Sequence, residues 1–231
     1  MDMPTIWSDL LHLFFPKLCI TCKCPLIHEE EHICLTCLCD LPQTNFWEEN
    51  DNPVAQLFTG KVDVVNASAV YFYEKGSKVQ QIVHLFKYHD NKKLAYIFGR
   101  HMALAVQSCT AYQSVEILIP VPLHAKKERK RGYNQSEWLC RGIASVWERR
   151  PVITNALTRI SASKTQTNKS IYDRWLNVHE IFTLQNKQVL EGKHILLVDD
   201  VITSGSTLLA CAEILITVPD VRISVLTLAA S

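Results

Sequence analysis

Residues 195–209 read I-L-L-V-D-D-V-I-T-S-G-S-T-L-L (Ile195–Leu209), and the order of residue types along that stretch decides the fold. The apolar run from Ile195 to Val198 is too short and too β-branched to favour a helix, so a buried strand is expected there. Asp199 and Asp200 follow at its end. Thr203, Ser204, Gly205, Ser206 and Thr207 are small and mostly hydroxyl-bearing. After them Leu208, Leu209, Ala212 and Leu215 recur at helical spacing. The acids and the hydroxyl loop therefore lie between the carboxyl end of a strand and the amino end of a helix. In an open α/β sheet that crevice is where ligands bind.

The groups in the crevice define what it suits. Adjacent carboxylates accept hydrogen bonds from a diol or from a hydrated metal. A glycine loop lets backbone N–H groups approach a phosphate closely, and a helix amino end adds partial positive charge. A diol and a phosphate a short reach apart describe a ribose 5-phosphate.

The chain has 231 residues, 48% of them hydrophobic, which is enough for a sizeable core. A net charge of +1 offers no global attraction for nucleic acid or a membrane surface, so any such affinity has to come from a local patch. No apolar run approaches the roughly 18 residues that span a bilayer. The first segment, M-D-M-P-T-I-W-S-D-L-L-H-L-F-F-P, lacks the basic leading region of a signal peptide. A cytoplasmic protein without membrane insertion is expected. The apolar stripe over Ile6–Phe15 reads as a packing helix, with a membrane-surface helix as the alternative.

Of nine cysteines, six fall within Cys19–Cys39. An odd total in one cluster suits a metal site in a reducing compartment better than a disulfide framework. Cys19/Cys22 and Cys34/Cys37 form two C-x-x-C knuckles, separated by eleven residues. Four thiolates so arranged suit the closed tetrahedral shell of structural Zn2+. Cys24, Cys39, His28 and His32 are competing ligands, and a redox C-x-x-C is the alternative chemistry. Gln43–Lys61 reads as a link. The chain thus divides at about residue 58 into an N-terminal helix plus zinc module (1–58) and a main domain (59–231).

Within the main domain, Val62–Tyr73 and Val115–Ile119 are β-rich, as is Arg222–Leu228. Ser77–Tyr88 and Leu94–Val106 carry helical stripes, the first capped by Ser77. Pro120, Val121 and Pro122 end a strand and lead into a basic loop of Lys126, Lys127, Arg129, Lys130 and Arg131, followed by Gly132, Tyr133, Asn134 and Gln135. A strand end again points at the crevice, where such a run can neutralise a pyrophosphate or a nucleic-acid backbone. A plain solvated face is the alternative. Ala156–Val178 is long, polar and without periodicity, and reads as a lid holding Arg159, Thr165, Gln166, Arg174 and Asn177.

At this point a resemblance can be named. V-D-D-V-I-T-S-G-S-T is similar to the 5-phosphoribosyl-1-pyrophosphate (PRPP) motif of type I phosphoribosyltransferases. Together with the paired knuckles, H-L-F-K-Y-H-D (His84–Asp90), I-P-V-P-L-H…K-R-G-Y-N-Q and L-T-R…T-Q…R-W-L-N-V, it resembles the ComF family (ComFC and GntX-like proteins) over nearly the whole chain. The resemblance implies an α/β fold, a parallel sheet flanked by helices beside a small zinc module. It implies that Val198–Val201 and Thr203–Thr207 bind PRPP, with Asp199 and Asp200 on the ribose hydroxyls. Pro120–Pro122 would lie at the pyrophosphate loop, and Ala156–Val178 would supply the hood. Mg2+ would accompany PRPP, and some members are linked to DNA uptake. Ser204 stands where many relatives have Thr, and both offer a hydroxyl. The expected activity is phosphoribosyl transfer with release of pyrophosphate. The alternative is a non-catalytic module binding PRPP, single-stranded DNA or a competence-machinery protein; Tyr133, Trp138 and Trp175 could stack on bases. Glutamine-dependent amidotransfer is not expected, because the cysteines are better placed on zinc.

Overall fold

The structure is a computed structural model and describes residues 15–27, 30–87, 91–148, 150–159 and 182–231. The expected helix over Ile6–Phe15 lies outside these apart from its last residue.

The apolar runs build a sheet. Strands β1 (Asn66–Phe72), β2 (Ile117–Pro120), β5 (His194–Ile202) and β6 (Arg222–Ala230) lie side by side in the order β1-β6-β5-β2, each pair parallel. Strands β3 (Leu157–Arg159) and β4 (Phe182–Leu184) form a separate antiparallel ribbon. A parallel sheet has to be covered on both faces, which is why its strands read as continuous apolar runs. Alternation along β5 shows the two faces. Leu196 and Val198 join one core and Ile195 and Leu197 the other.

The first core is closed by helices α3 (Lys78–Lys87), α4 (Lys92–Ala105) and α7 (Gln135–Val146). Ser77 caps α3 as expected, accepting from the Gln80 N–H. Helices α4 and α7 touch through their backbones. A Cβ added at Gly99 would lie 2.1 Å from the Leu139 carbonyl oxygen, and one at Gly142 2.1 Å from that of Tyr96. No other residue fits at either crossing point. The second core contains Val54 and Phe58 together with Leu190 of the short α8 (Lys187–Leu190) and Leu208 and Leu215 of α9 (Ser206–Leu215), while Tyr112 of the short α5 (Thr110–Gln113) joins the first.

Two expectations change. The opening strand does not stop at Val198 but runs through the acids to Ile202, because β6 is equally long and pairs with it up to Ala230. The basic run is not a loop but helix α6 (Ala125–Arg131). Its residues are good helix formers, and the ring of His124 accepts from the Lys126 N–H at the helix start. The link over Gln43–Lys61 is packed, with Val54 and Phe58 in the second core. Asn52 is buried; its carboxamide oxygen accepts from the N–H groups of Val54 and Ala55 at the start of α2 (Pro53–Gln56), and its nitrogen donates to the carbonyls of Phe46, Glu49 and Ala67.

The cysteine segment shares the first core. Cys19, Ile33, Cys37 and Leu41 pack in one cluster with Val79, Phe86 and Phe98. Lys78, at the start of α3, donates to Asp40 at 2.6 Å, just after the short helix α1 (Leu35–Cys39). Among the described residues no helix is long and apolar enough to cross a membrane.

Candidate functional site

The acids lie in β5 just past Val198, where its pairing with β2 ends, and neighbours from three elements orient them. Asp199 accepts at Oδ1 from the Ser136 hydroxyl at 2.8 Å and from the Asp200 N–H at 2.8 Å. Ser136 stands in the first turn of α7, which Asn134 caps by accepting from the Ser136 N–H. Lys87, the last residue of α3, brings Nζ to 3.7 Å from Asp200 Oδ2. Burial, and then the neighbouring Asp200 carboxylate, push Asp199 up to about 7, against the Ser136 and Asp200 hydrogen bonds and the Lys87 charge. Asp199 is therefore poised near neutral pH.

The hydroxyl loop follows. Gly205 has φ +70°, and a Cβ there would stand 3.1 Å from Leu57 Cδ1, so both conformation and space favour glycine. This turn starts α9 and exposes Thr203, Ser204 and Ser206, with the Ser204 and Ser206 hydroxyls 2.7 Å apart. A hollow of about 90 Å³ is lined by Asp199 and residues 201–208. Apart from the Asp199 carboxylate its polar groups are hydroxyls and helix-terminal N–H groups, a donor set for a phosphate.

Beside it lies a cleft of about 160 Å³, lined by both acids, Val121, Pro122, Ser136 and Gln135 and by the cations Lys87, Lys127, Arg131 and Arg159. The two hollows share Asp199 and Thr207. Helix geometry selects among the basic residues, since Lys127 and Arg131 are four apart on one face of α6. Lys126, Arg129 and Lys130 are exposed and do not line the cleft. Tyr133 and Asn134 are buried: the Tyr133 hydroxyl donates to the Phe86 carbonyl, and Asn134 Nδ2 donates to the Val121 carbonyl at 3.0 Å. They hold the cleft wall in place. Gln135 is 2% exposed, and its Nε2 lacks a hydrogen-bond partner. Arg159 ends β3, its guanidinium 5.4 Å from the centroid of the Phe182 ring on β4, so the ribbon forms one wall. Thr165, Gln166, Arg174 and Asn177 lie outside the described residues.

Two contributors carry no local sequence signal. Ser136 reaches an acid 63 positions away. Lys87 is the last polar residue of an ordinary amphipathic helix, although it stands in the quoted H-L-F-K-Y-H-D. A further cavity of about 160 Å³, lined by Val106, Tyr112, Trp147 and Arg150 among others, shares no residue with either hollow. Its cation is already engaged, over the Trp147 ring and on the Gln113 carbonyl.

The candidate metal centre lies in the cysteine segment. The Sγ atoms of Cys19, Cys22, Cys34 and Cys37 all lie within 4.8 Å of one another, with Cys22 and Cys34 3.6 Å apart. Tetrahedral Zn–S bonds of about 2.3 Å require S···S separations of about 3.8 Å, so the cage has the right size. Cys24 and Cys39 are exposed and stand outside the cluster, as does His32; His28 lies outside the described residues. Burial raises the Cys19 thiol, but bonds from the Thr21 hydroxyl and the Cys34 N–H bring it down to about 5. Four sulfurs this close cannot all ionise without a cation between them. The cluster can hold a structural metal.

Comparison with known proteins agrees with this geometry. Residues 143–230 match the model of the phosphoribosyl transferase domain. That match takes in β5, the hydroxyl loop and β6. The chain is 28% identical over 219 residues to the DNA utilization protein YhgH of Shigella flexneri, covering 88% of this chain and 92% of that protein. It is 32% identical over 138 residues to competence protein F of Haemophilus influenzae, covering 58% of this chain and 60% of that one. It is 26% identical over 201 residues to competence protein ComFC of Bacillus subtilis, covering 87% and 78%.

Proposed function

Because the chain is a ComF-type protein with a phosphoribosyl transferase domain, we propose that it binds PRPP and transfers the phosphoribosyl group to an acceptor, releasing pyrophosphate. The observation that carries this reading is the pair of adjoining hollows that share Asp199 and Thr207. One offers hydroxyls and backbone N–H groups, the other four cations, and Asp199 stands at the wall between them with Asp200 beside it. PRPP has the same order: a 5-phosphate, a diol, then a pyrophosphate on C1.

In this arrangement Thr203, Ser204, Ser206, Thr207 and the backbone at Gly205 hold the 5-phosphate. Asp199 and Asp200 accept from the ribose hydroxyls. Pro120, Val121 and Pro122 shape the floor, and Lys127, Arg131 and Arg159 face the pyrophosphate. The acceptor attacks C1, the C1–O bond breaks, and its electron pair leaves with the pyrophosphate. Fixed cations at that position stabilise the charge as it develops. Mg2+ bound with PRPP supplies further neutralisation of the pyrophosphate oxygens. The module up to residue 58 holds a structural Zn2+ and braces the domain 59–231. A cytoplasmic location, where thiols stay reduced, suits that use of the cysteines.

A second reading draws on the relatives' names and on Lys126, Arg129 and Lys130, which are exposed beside the cleft. Here occupancy of the cleft governs the binding of single-stranded DNA or a competence-machinery protein. One assay separates the two. The protein is incubated with PRPP, Mg2+ and a panel of amines and bases, and pyrophosphate release is measured. Transfer predicts release well above an Asp199→Asn/Asp200→Asn control. Release no greater than that control, together with salt-sensitive binding of single-stranded DNA, selects the second reading.

A further inference from the structure

Lys87 belongs to the stretch H-L-F-K-Y-H-D (His84–Asp90). As the last residue of α3, it is fixed from behind. Phe86 is fully buried, and its carbonyl accepts from the Tyr133 hydroxyl, just before the turn that opens α7. The Lys87 side chain is 26% exposed and that of Asp200 15%, with Nζ and Oδ2 3.7 Å apart. A charge-assisted hydrogen bond closes to about 2.7–2.9 Å, so this contact is one of charge rather than of a formed bond. An ammonium carries three donors, and a contact of this length leaves them available to a second oxygen. The same Nζ faces the cleft with Lys127, Arg131 and Arg159. Lys87 thus stands on the border between the acids, which take hydroxyls, and the cations, which take phosphate.

We propose that Lys87 is a ligand-binding residue that bridges Asp200 and the C1-linked phosphate of the ligand, so that the site distinguishes a ribose carrying a C1 pyrophosphate from one carrying only a 5-phosphate. The inference rests on the phosphoribose reading of the cleft. Lys87 is not among the residues lining the hollow that takes the 5-phosphate. It does line the cleft that takes a phosphate on C1. Lys87 therefore contributes to binding PRPP and little to binding ribose 5-phosphate.

Titration calorimetry with PRPP and with ribose 5-phosphate, both with Mg2+, tests this on the full chain and on Lys87→Met. Loss of one hydrogen bond to a charged group predicts PRPP affinity about tenfold weaker or more, with ribose 5-phosphate changed by less than about twofold. Equal PRPP affinity in the two proteins overturns the proposal, and so does an equal loss for both ligands, which marks a purely structural lysine. If thermal melting shows Lys87→Met to be unfolded, Lys87→Gln carries the same comparison. A wild-type chain that binds neither ligand overturns the phosphoribose reading and this inference with it. Wild-type binding that Lys87→Met leaves intact overturns the inference alone.

Discussion

Asp199 is where protonation and folding meet. Its carboxyl accepts from the Ser136 hydroxyl and the Asp200 N–H, and its charge further discourages ionisation of the buried Cys140 and Cys211 thiols. Burial and Asp200 raise it to about 7 from an ordinary 3.8, so the native state holds a proton that the unfolded chain gives up. The contribution to stability is fully present below the unfolded value. It declines as pH climbs and is gone above about 7, the reverse of a salt-bridged carboxylate. Replacing Asp199 by Asn, which cannot ionise, removes that decline. Urea denaturation should give Asp199→Asn and wild type similar stability near pH 4. At pH 8 the variant should be more stable by on the order of 1 kcal/mol or more. A constant difference across that range would show that Asp199 ionises normally. His194 acts in the other direction and must be allowed for in both proteins. Buried between the Ser114 and Ser224 hydroxyls, it is lowered to about 4, chiefly by burial and then by Arg222, so its contribution is lost as pH falls below about 6.5.

At the level of elements, the site depends on where α7 lies. This helix offers Gln135 and Ser136 to the cleft, and its height over the sheet is set by contact with α4 at Gly99 and Gly142. A methyl at either glycine would meet a carbonyl oxygen at 2.1 Å, and that oxygen belongs to a helix backbone that cannot rotate away. Gly142→Ala should therefore destabilise the protein by about 3 kcal/mol or more, at the upper end of overpacking costs. It should also weaken PRPP binding by displacing Ser136 from Asp199. A melting temperature within a degree of wild type would contradict the close crossing. These glycines also mark how far the sequence could be read. Strand, acid pair and hydroxyl loop were legible because the signal is local: apolar run, turn chemistry, helical period. The helical nature of 125–131 was obscured because charge dominated the reading, although A-K-K-E-R-K-R holds nothing that resists a helix. The roles of Ser136 and Lys87, and the reason for Gly99 and Gly142, lie in contacts between distant segments, and no local pattern encodes them.

For the molecule as a whole, the question is how the cysteine cluster bears on a cleft built from other elements. Helix α3 joins them. Its first residue, Lys78, is bonded to Asp40 beside the knuckle of Cys37, and its last, Lys87, faces Asp200. Along its length Val79, Ile82 and Phe86 share a core with Cys19, Ile33 and Cys37. The segment around the cluster has little regular structure, a single short helix among its described residues, so its order rests on that shared core and on whatever the four sulfurs bind. A structural metal then contributes directly to folding free energy. The purified protein should carry one equivalent of zinc. Removing it with a chelator should lower the melting temperature by at least several degrees, at about 2–4 °C per kcal/mol for a chain of this size. Far-UV circular dichroism should change little, since the sheet and the long helices lie elsewhere. Proteolysis should begin within residues 15–41, and PRPP affinity should fall because the start of α3 loses its anchor. Cys22→Ser should reproduce all of this, whereas Cys24→Ser and Cys39→Ser should keep the metal. A protein with no zinc, all nine thiols titratable and a melting temperature indifferent to chelator would show that the four sulfurs meet for another reason. PRPP affinity unchanged in metal-free protein that still melts cooperatively would confine the metal to its own module and remove α3 as the connection.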